Sequence, residues 1–98
     1  MDIGYVDGKD HRKIMLYALS TCMWCKKTKA LLGELGVAYS YVDVDLLGEE
    51  EKREVKEAIR RWNPAGSFPT IVIDESDCVS GFDEEEIREK VGRSPANE

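Results

Sequence analysis

An unbroken apolar run, Ile14-Met15-Leu16-Tyr17-Ala18-Leu19, constrains this chain more than any other feature. A run without polar alternation reads as a strand covered on both faces. Such a strand needs a layer on each side. In a chain of 98 residues, enough for one domain and one core, helices are the simplest way to supply those layers. The residues that follow fit that role. From Met23 to Leu35 the apolar residues Trp24, Leu31, Leu32 and Leu35 fall at helical spacing, and Gly36 provides a C-terminal stop.

The pattern then alternates. Tyr39 to Val44 is rich in aromatic and β-branched residues and reads as a second strand. Glu49 to Glu51 complement the positive end of a helix dipole, and Val55, Ala58, Ile59 and Trp62 form one apolar stripe. That helix ends before Pro64, because a residue preceding proline is pushed out of the helical region. Pro69 leads into a third strand, Thr70-Ile71-Val72-Ile73; Asp74 to Asp77 read as a tight turn and Cys78-Val79 as a short fourth strand. Asp83 caps a last helix, with Glu86 at capping-box spacing and Ile87 and Val91 on the buried side.

The order is β-α-β-α-β-β-α, an α/β class. Strands joined through a helix run parallel, and strands joined by a short turn run antiparallel. The expected architecture is a mixed four-stranded sheet flanked by helices. Residues 1–12 are expected as a flexible N-terminal arm, 13–92 as the folded domain, and 93–98 as a frayed tail.

Composition narrows the function. A net charge of −6 argues against bulk attraction to nucleic acid or an anionic membrane, and no segment is apolar enough to span a bilayer. Met1 to Lys13 are polar, without the apolar core of a signal peptide, so the expected compartment is the reducing cytoplasm. There, three cysteines in a short chain point to reactive or metal-binding thiols rather than to a disulfide scaffold.

The chemistry is expected at the first strand-to-helix junction. Cys22 falls where the helix begins, so free N–H groups and the helix dipole point towards its sulfur. That setting lowers a thiol pKa, and the thiolate is the nucleophile of disulfide exchange. Two intervening residues, Met23 and Trp24, place Cys25 one turn on, within reach of a mixed disulfide formed at Cys22. Lys26 and Lys27 are candidates for cationic tuning of the thiolate; together with Lys29 they also fit a plainly solvated helix face. Zinc sites repeat a C-x-x-C pair or add histidines at short spacing. Here one pair is accompanied by a distant Cys78 and a single His11, so a zinc or iron–sulfur module is the alternative and no metal ligand set is assigned.

Three motifs carry a family resemblance. Tyr17-Ala18-Leu19-Ser20-Thr21-Cys22-Met23-Trp24-Cys25-Lys26-Lys27-Thr28 resembles the active-site region of glutaredoxins and glutaredoxin-like redoxins. Ser67-Phe68-Pro69-Thr70 resembles the cis-proline loop of the thioredoxin superfamily. Ser80-Gly81-Phe82-Asp83 is similar to the turn before the last glutaredoxin helix, and closer still to the Ser-Gly-Phe of ribonucleotide-reductase-linked redoxins. The resemblance implies a thioredoxin-like fold and a dithiol oxidoreductase that reduces protein disulfides or glutathione mixed disulfides. It implies Cys22 as the attacking cysteine, Cys25 as the resolving one, and Pro69 as the cis residue facing them. Phe68 would bind an extended substrate through its backbone, and Gly81, Phe82 and Asp83 would border the same groove. No bound cofactor is implied. Glutathione enters as co-substrate, and either glutathione or a thioredoxin-reductase-type enzyme as reductant of a monomer.

Five positions depart from the patterns of these families. Leu19 stands where glutaredoxins carry a lysine, Met23-Trp24 where they carry Pro-Tyr, and Ser80 where they carry a first glycine. Leu16 stands where thioredoxins bury a carboxylate. Trp24 fits either an exposed docking surface or packing, whereas Trp62 fits packing. Cys78 reads as a small strand hydrophobe, with a regulatory thiol as the alternative, and His11 as an idle residue of the arm.

Overall fold

The computed structural model describes residues 3–10 and 12–92. Five strands and three helices follow in the order β1 (Gly4–Val6), β2 (Ile14–Ala18), α1 (Met23–Leu35), β3 (Tyr39–Asp43), α2 (Glu49–Trp62), β4 (Thr70–Ile73), β5 (Asp77–Ser80) and α3 (Glu84–Gly92). A short 3-10 turn, Val44–Leu46, links β3 to α2. The strands lie side by side as β1-β3-β2-β4-β5. As expected for a crossover through α1, β2 and β3 are parallel, and the β4–β5 hairpin is antiparallel. The β2–β4 pairing is also antiparallel and completes the mixed α/β sheet.

The sheet has five strands, not four, and the expected arm over residues 1–12 supplies the extra one. Gly4–Val6 pairs antiparallel with β3 in the register Gly4↔Tyr41, Tyr5↔Ser40 and Val6↔Tyr39. The Lys9 N–H then donates to the Gly36 carbonyl at 2.8 Å, and the Ala38 N–H to the Lys9 carbonyl at 2.9 Å. The physical reason is that the outer edge of β3 presents a row of unpaired backbone groups, which a three-residue strand can satisfy. His11 and the tail 93–98 lie outside the described residues.

Side chains of β2 sort by alternation. Ile14, Leu16 and Ala18 enter a core with Leu31 and Leu32 of α1, Ile71 and Ile73 of β4, Val79 of β5, and Ile87 and Val91 of α3. Met15 and Tyr17 face the other way, where α2 packs Val55 and Ile59 onto Val42 and Val44. So α1 and α3 cover one face and α2 the other. The first face also packs Leu35, Phe68 and Phe82, which stay partly exposed. On the second, Met15, Tyr17 and Trp62 are only half buried and line a shallow groove with Val72.

Local chemistry sets the ends of these elements. Helix α1 stops at Gly36, whose left-handed φ of 70° lets its N–H return to the Gly33 carbonyl. The β4–β5 turn has Asp74 and Glu75 at φ of 54° and 55°, the mirror-image turn that matches strand twist. Neither residue is glycine, and Asp74 is held by the start of β2: its carboxylate accepts the Lys13 N–H at 2.8 Å and pairs with Arg12 at 2.8 Å. Among the described residues no helix is long and apolar enough to cross a membrane.

Candidate active site

Cys22 is the N-cap of α1, with extended backbone angles (φ −86°, ψ 121°). Its Sγ accepts the Cys25 N–H at 3.2 Å, one of the N-terminal amides that the helix leaves without an internal partner. Its own N–H donates to the Leu19 carbonyl at 3.2 Å. The thiol is half buried, so a substrate sulfur can reach it. One turn on, Cys25 points into the core and is 1% exposed. Its Sγ accepts the Leu19 N–H at 3.5 Å. Burial, reinforced by the hydrogen bond with Cys22, pushes the Cys25 thiol up to about 12. Both cysteines are free thiols.

Two loops from elsewhere in the chain are tied to each other, and one of them reaches Trp24 between the cysteines. The Phe68–Pro69 peptide bond is cis, and the Pro69 carbonyl accepts the Gly81 N–H at 2.8 Å. Gly81 takes a left-handed φ of 77°, which aims that N–H across the hairpin and turns the chain into α3. Phe82 then stacks on Trp24, with ring centroids 5.7 Å apart and planes 27° from parallel. Trp24 is thus both exposed, at 52%, and held in place by Phe82. Met23 beside it is 66% exposed. Asp83 is a helix cap: its Oδ1 accepts the Glu86 N–H at 3.1 Å, and its carbonyl accepts the Ile87 N–H at 2.9 Å. Asp83→Ala is expected to cost about 1 kcal/mol, read as a lower denaturant midpoint with unchanged slope.

The lysines separate into different roles. The Lys27 ammonium sits over the Trp24 ring, 4.8 Å from its centroid, and supports the exposed aromatic. Lys26 is exposed. Lys29 is the cation that acts on Cys25, opposing the upward push on its thiol, while it pairs with Asp43 at 3.0 Å. Cys78 is half buried in β5, opposite Val72 of β4, with its thiol pushed up mainly by burial. Among the described residues no three His, Cys, Asp or Glu side chains group as a metal site.

The arrangement is a helix-capping thiol, a buried second thiol one turn away, and a cis-proline loop bonded to the turn that carries Phe82. A family model described as Glutaredoxin matches residues 14–77. The chain belongs to the glutaredoxin family. Glutaredoxin 1 of Rickettsia prowazekii is 36% identical over 80 residues, covering 82% of this chain and 80% of that protein. The crystal structure of the glutaredoxin from Methanosarcina mazei superposes with a TM-score of 0.87 at 49% identity, covering 93% of this chain and 88% of that one. Methanoredoxin of Methanosarcina acetivorans superposes with a TM-score of 0.84 at 51% identity, covering 88% and 90% respectively.

This glutaredoxin also uses residues that pattern reading passed over. Asn63, which ends α2 and is 5% exposed, donates through Nδ2 to Ser67 Oγ at 3.1 Å, to the Ser67 carbonyl at 3.3 Å and to Thr70 Oγ1 at 3.1 Å. Its Oδ1 accepts the Ala65 N–H at 3.2 Å, and Thr70 Oγ1 donates to the Ser67 carbonyl at 2.8 Å. One amide therefore ties the helix end, the loop before Pro69 and the start of β4. A lone Asn before Pro64 looks like an ordinary helix stop, so nothing local in the sequence points to this knot.

Proposed function

We propose that this glutaredoxin is a dithiol oxidoreductase that reduces protein disulfides and glutathione mixed disulfides through Cys22 and Cys25. The observation that carries the reading is the asymmetry of the pair. One sulfur is reachable at a helix N-terminus, where it accepts the Cys25 N–H and negative charge is favoured; the other is buried, and burial pushes its thiol up. In the first step the Cys22 thiolate attacks one sulfur of the substrate disulfide and expels the other as a thiolate, leaving a mixed disulfide. In the second, Cys25 gives up its proton and attacks Cys22 Sγ. The second substrate thiolate leaves, and a Cys22–Cys25 disulfide remains. Two electrons pass to the substrate, and a thiol reductant restores the pair.

The pKa causes at Cys25 support this sequence of steps. Two of the influences that raise it, the hydrogen bond to Cys22 and the negative charge there, disappear once Cys22 is bonded to substrate. Cys25 becomes easier to ionise when its attack is needed.

Met23 and the Trp24–Phe82 stack would supply the apolar contact beside Cys22, and the Phe68 backbone next to Pro69 a strand-like edge for the substrate chain. Gly81, Phe82 and Asp83 would border the same groove, at the N-terminus of α3 where a glutathione carboxylate fits. We place the protein in the cytoplasm as a monomer, reduced by glutathione or by a thioredoxin-reductase-type enzyme. The deciding test offers the oxidised protein each reductant separately and follows recovery of free thiols; reduction by neither would remove this reading. Trp24→Ala is expected to raise KM for a protein disulfide about fivefold with kcat nearly unchanged, because it removes uniform binding surface and leaves both sulfurs in place. A loss in kcat alone would instead assign Trp24 to holding the helix end.

A further inference from the structure

Asp45, in the 3-10 turn after β3, spends both carboxylate oxygens on a single distant residue. The Ser20 N–H donates to Oδ1 at 2.8 Å and Ser20 Oγ donates to Oδ2 at 2.5 Å. These two bonds hold the Asp45 carboxyl below the usual carboxylate range, with Lys52 acting in the same direction, so the tie is charge-assisted at neutral pH. It does not cap the turn in which it sits, whose N-cap is Asp43. Ser20 lies in the segment between the end of β2 and the cap of α1. The residue before it, Leu19, touches both cysteines: its N–H reaches Cys25 Sγ and its carbonyl receives the Cys22 N–H. A carboxylate on one side of this segment therefore pins the stretch of backbone that contacts the dithiol on the other.

We propose that Asp45 is a positioning residue for the redox pair, clamping Ser20 so that Leu19 stays against Cys25 and Cys22 stays at the cap of α1. This rests on the dithiol reading above. It differs from a purely electrostatic influence in sign. Removing a negative charge near a nucleophilic sulfur favours the thiolate and speeds its reactions, whereas releasing the loop misplaces the sulfur and slows them.

The test measures alkylation of the reduced protein by iodoacetamide at neutral pH, with the labelled cysteine assigned by peptide mapping and folding followed by thermal melting. Asp45→Ala is expected to slow labelling at Cys22 about tenfold. Asp45→Asn, whose amide can still accept the Ser20 N–H and donate to Oγ, is expected to stay within about twofold of the parent. Ser20→Ala loses one bond of the two and is expected to slow labelling about threefold; it keeps the question open to measurement should Asp45→Ala not fold. Unchanged or faster labelling in Asp45→Ala or, where that variant does not fold, in Ser20→Ala overturns the proposal, as does a slowing that Asp45→Asn fails to restore. Alkylation needs no disulfide substrate, so these results stand apart from the fate of Cys22→Ser in a reductase assay, which decides the dithiol reading itself.

Discussion

Cys22→Ser is expected to lower disulfide reduction by about 10³-fold or more, because a serine hydroxyl at neutral pH is neither ionised nor able to displace a thiolate from sulfur. Cys25→Ser is expected to stop the reaction half-way. The first displacement needs only the half-buried but reachable sulfur of Cys22, so a covalent adduct forms. Serine cannot then release it. Mass spectrometry of the two variants after exposure to a disulfide peptide separates these outcomes: no adduct for Cys22→Ser, a stoichiometric one for Cys25→Ser. Equal reductase activity in both variants would remove the division of labour between the two sulfurs. The buried and raised Cys25 thiol adds a further expectation, that brief alkylation at neutral pH marks Cys22 before Cys25.

The second large effect is expected far from either sulfur in sequence. Asn63→Ala deletes an amide that makes four hydrogen bonds to Ala65, Ser67 and Thr70, at a position 5% exposed. Alanine cannot replace them, and too little water reaches the site to do so. Leaving several polar groups short of partners there is expected to cost about 3 kcal/mol, visible as a lower urea midpoint with unchanged slope. The loop from Pro64 to Pro69 then loses its anchor to α2 and is left with its bond to Gly81, in the turn that carries Phe82. Disulfide reduction is expected to fall about tenfold even under conditions where the variant remains folded. Wild-type stability in Asn63→Ala would show that Thr70 and the Gly81 bond hold the loop unaided.

The two predictions probe different sources of information. The cysteine pair was legible before any coordinates, because strand, cap and helix are local and the C-x-x-C spacing is a property of one helical turn. The same holds for Pro69 and for Asp83, whose roles as a proline before a strand and as a helix cap are written in their immediate neighbours. The stack of Phe82 on Trp24 was not legible. Both side chains could be named as surface candidates, but their contact depends on how α3 docks against α1.

Lys26 and Lys27 mark the limit more sharply. Their place just after the cysteine pair made them candidates for tuning the Cys22 thiolate, but the sequence does not say which way each side chain turns. Lys27 turns onto Trp24, while Lys29, four residues beyond Cys25, is the lysine acting on its thiol. The fifth strand was missed for a related reason. Gly4–Val6 is too short to show a period and acquires strand geometry only because the edge of β3 is there to pair with.

By itself, then, the chain's order of apolar runs, caps and breakers determined the alternation of elements, the β4–β5 hairpin, and the place of the dithiol at the head of the first long helix. These follow from interactions between residues a few positions apart. Only the tertiary structure decided that Asn63 knots the proline loop, that Asp45 grips Ser20 across 25 residues, and that the N-terminal segment joins the sheet. Each is a hydrogen-bonding group satisfied by a partner distant in sequence, and a buried or edge polar group announces its need for a partner without naming it.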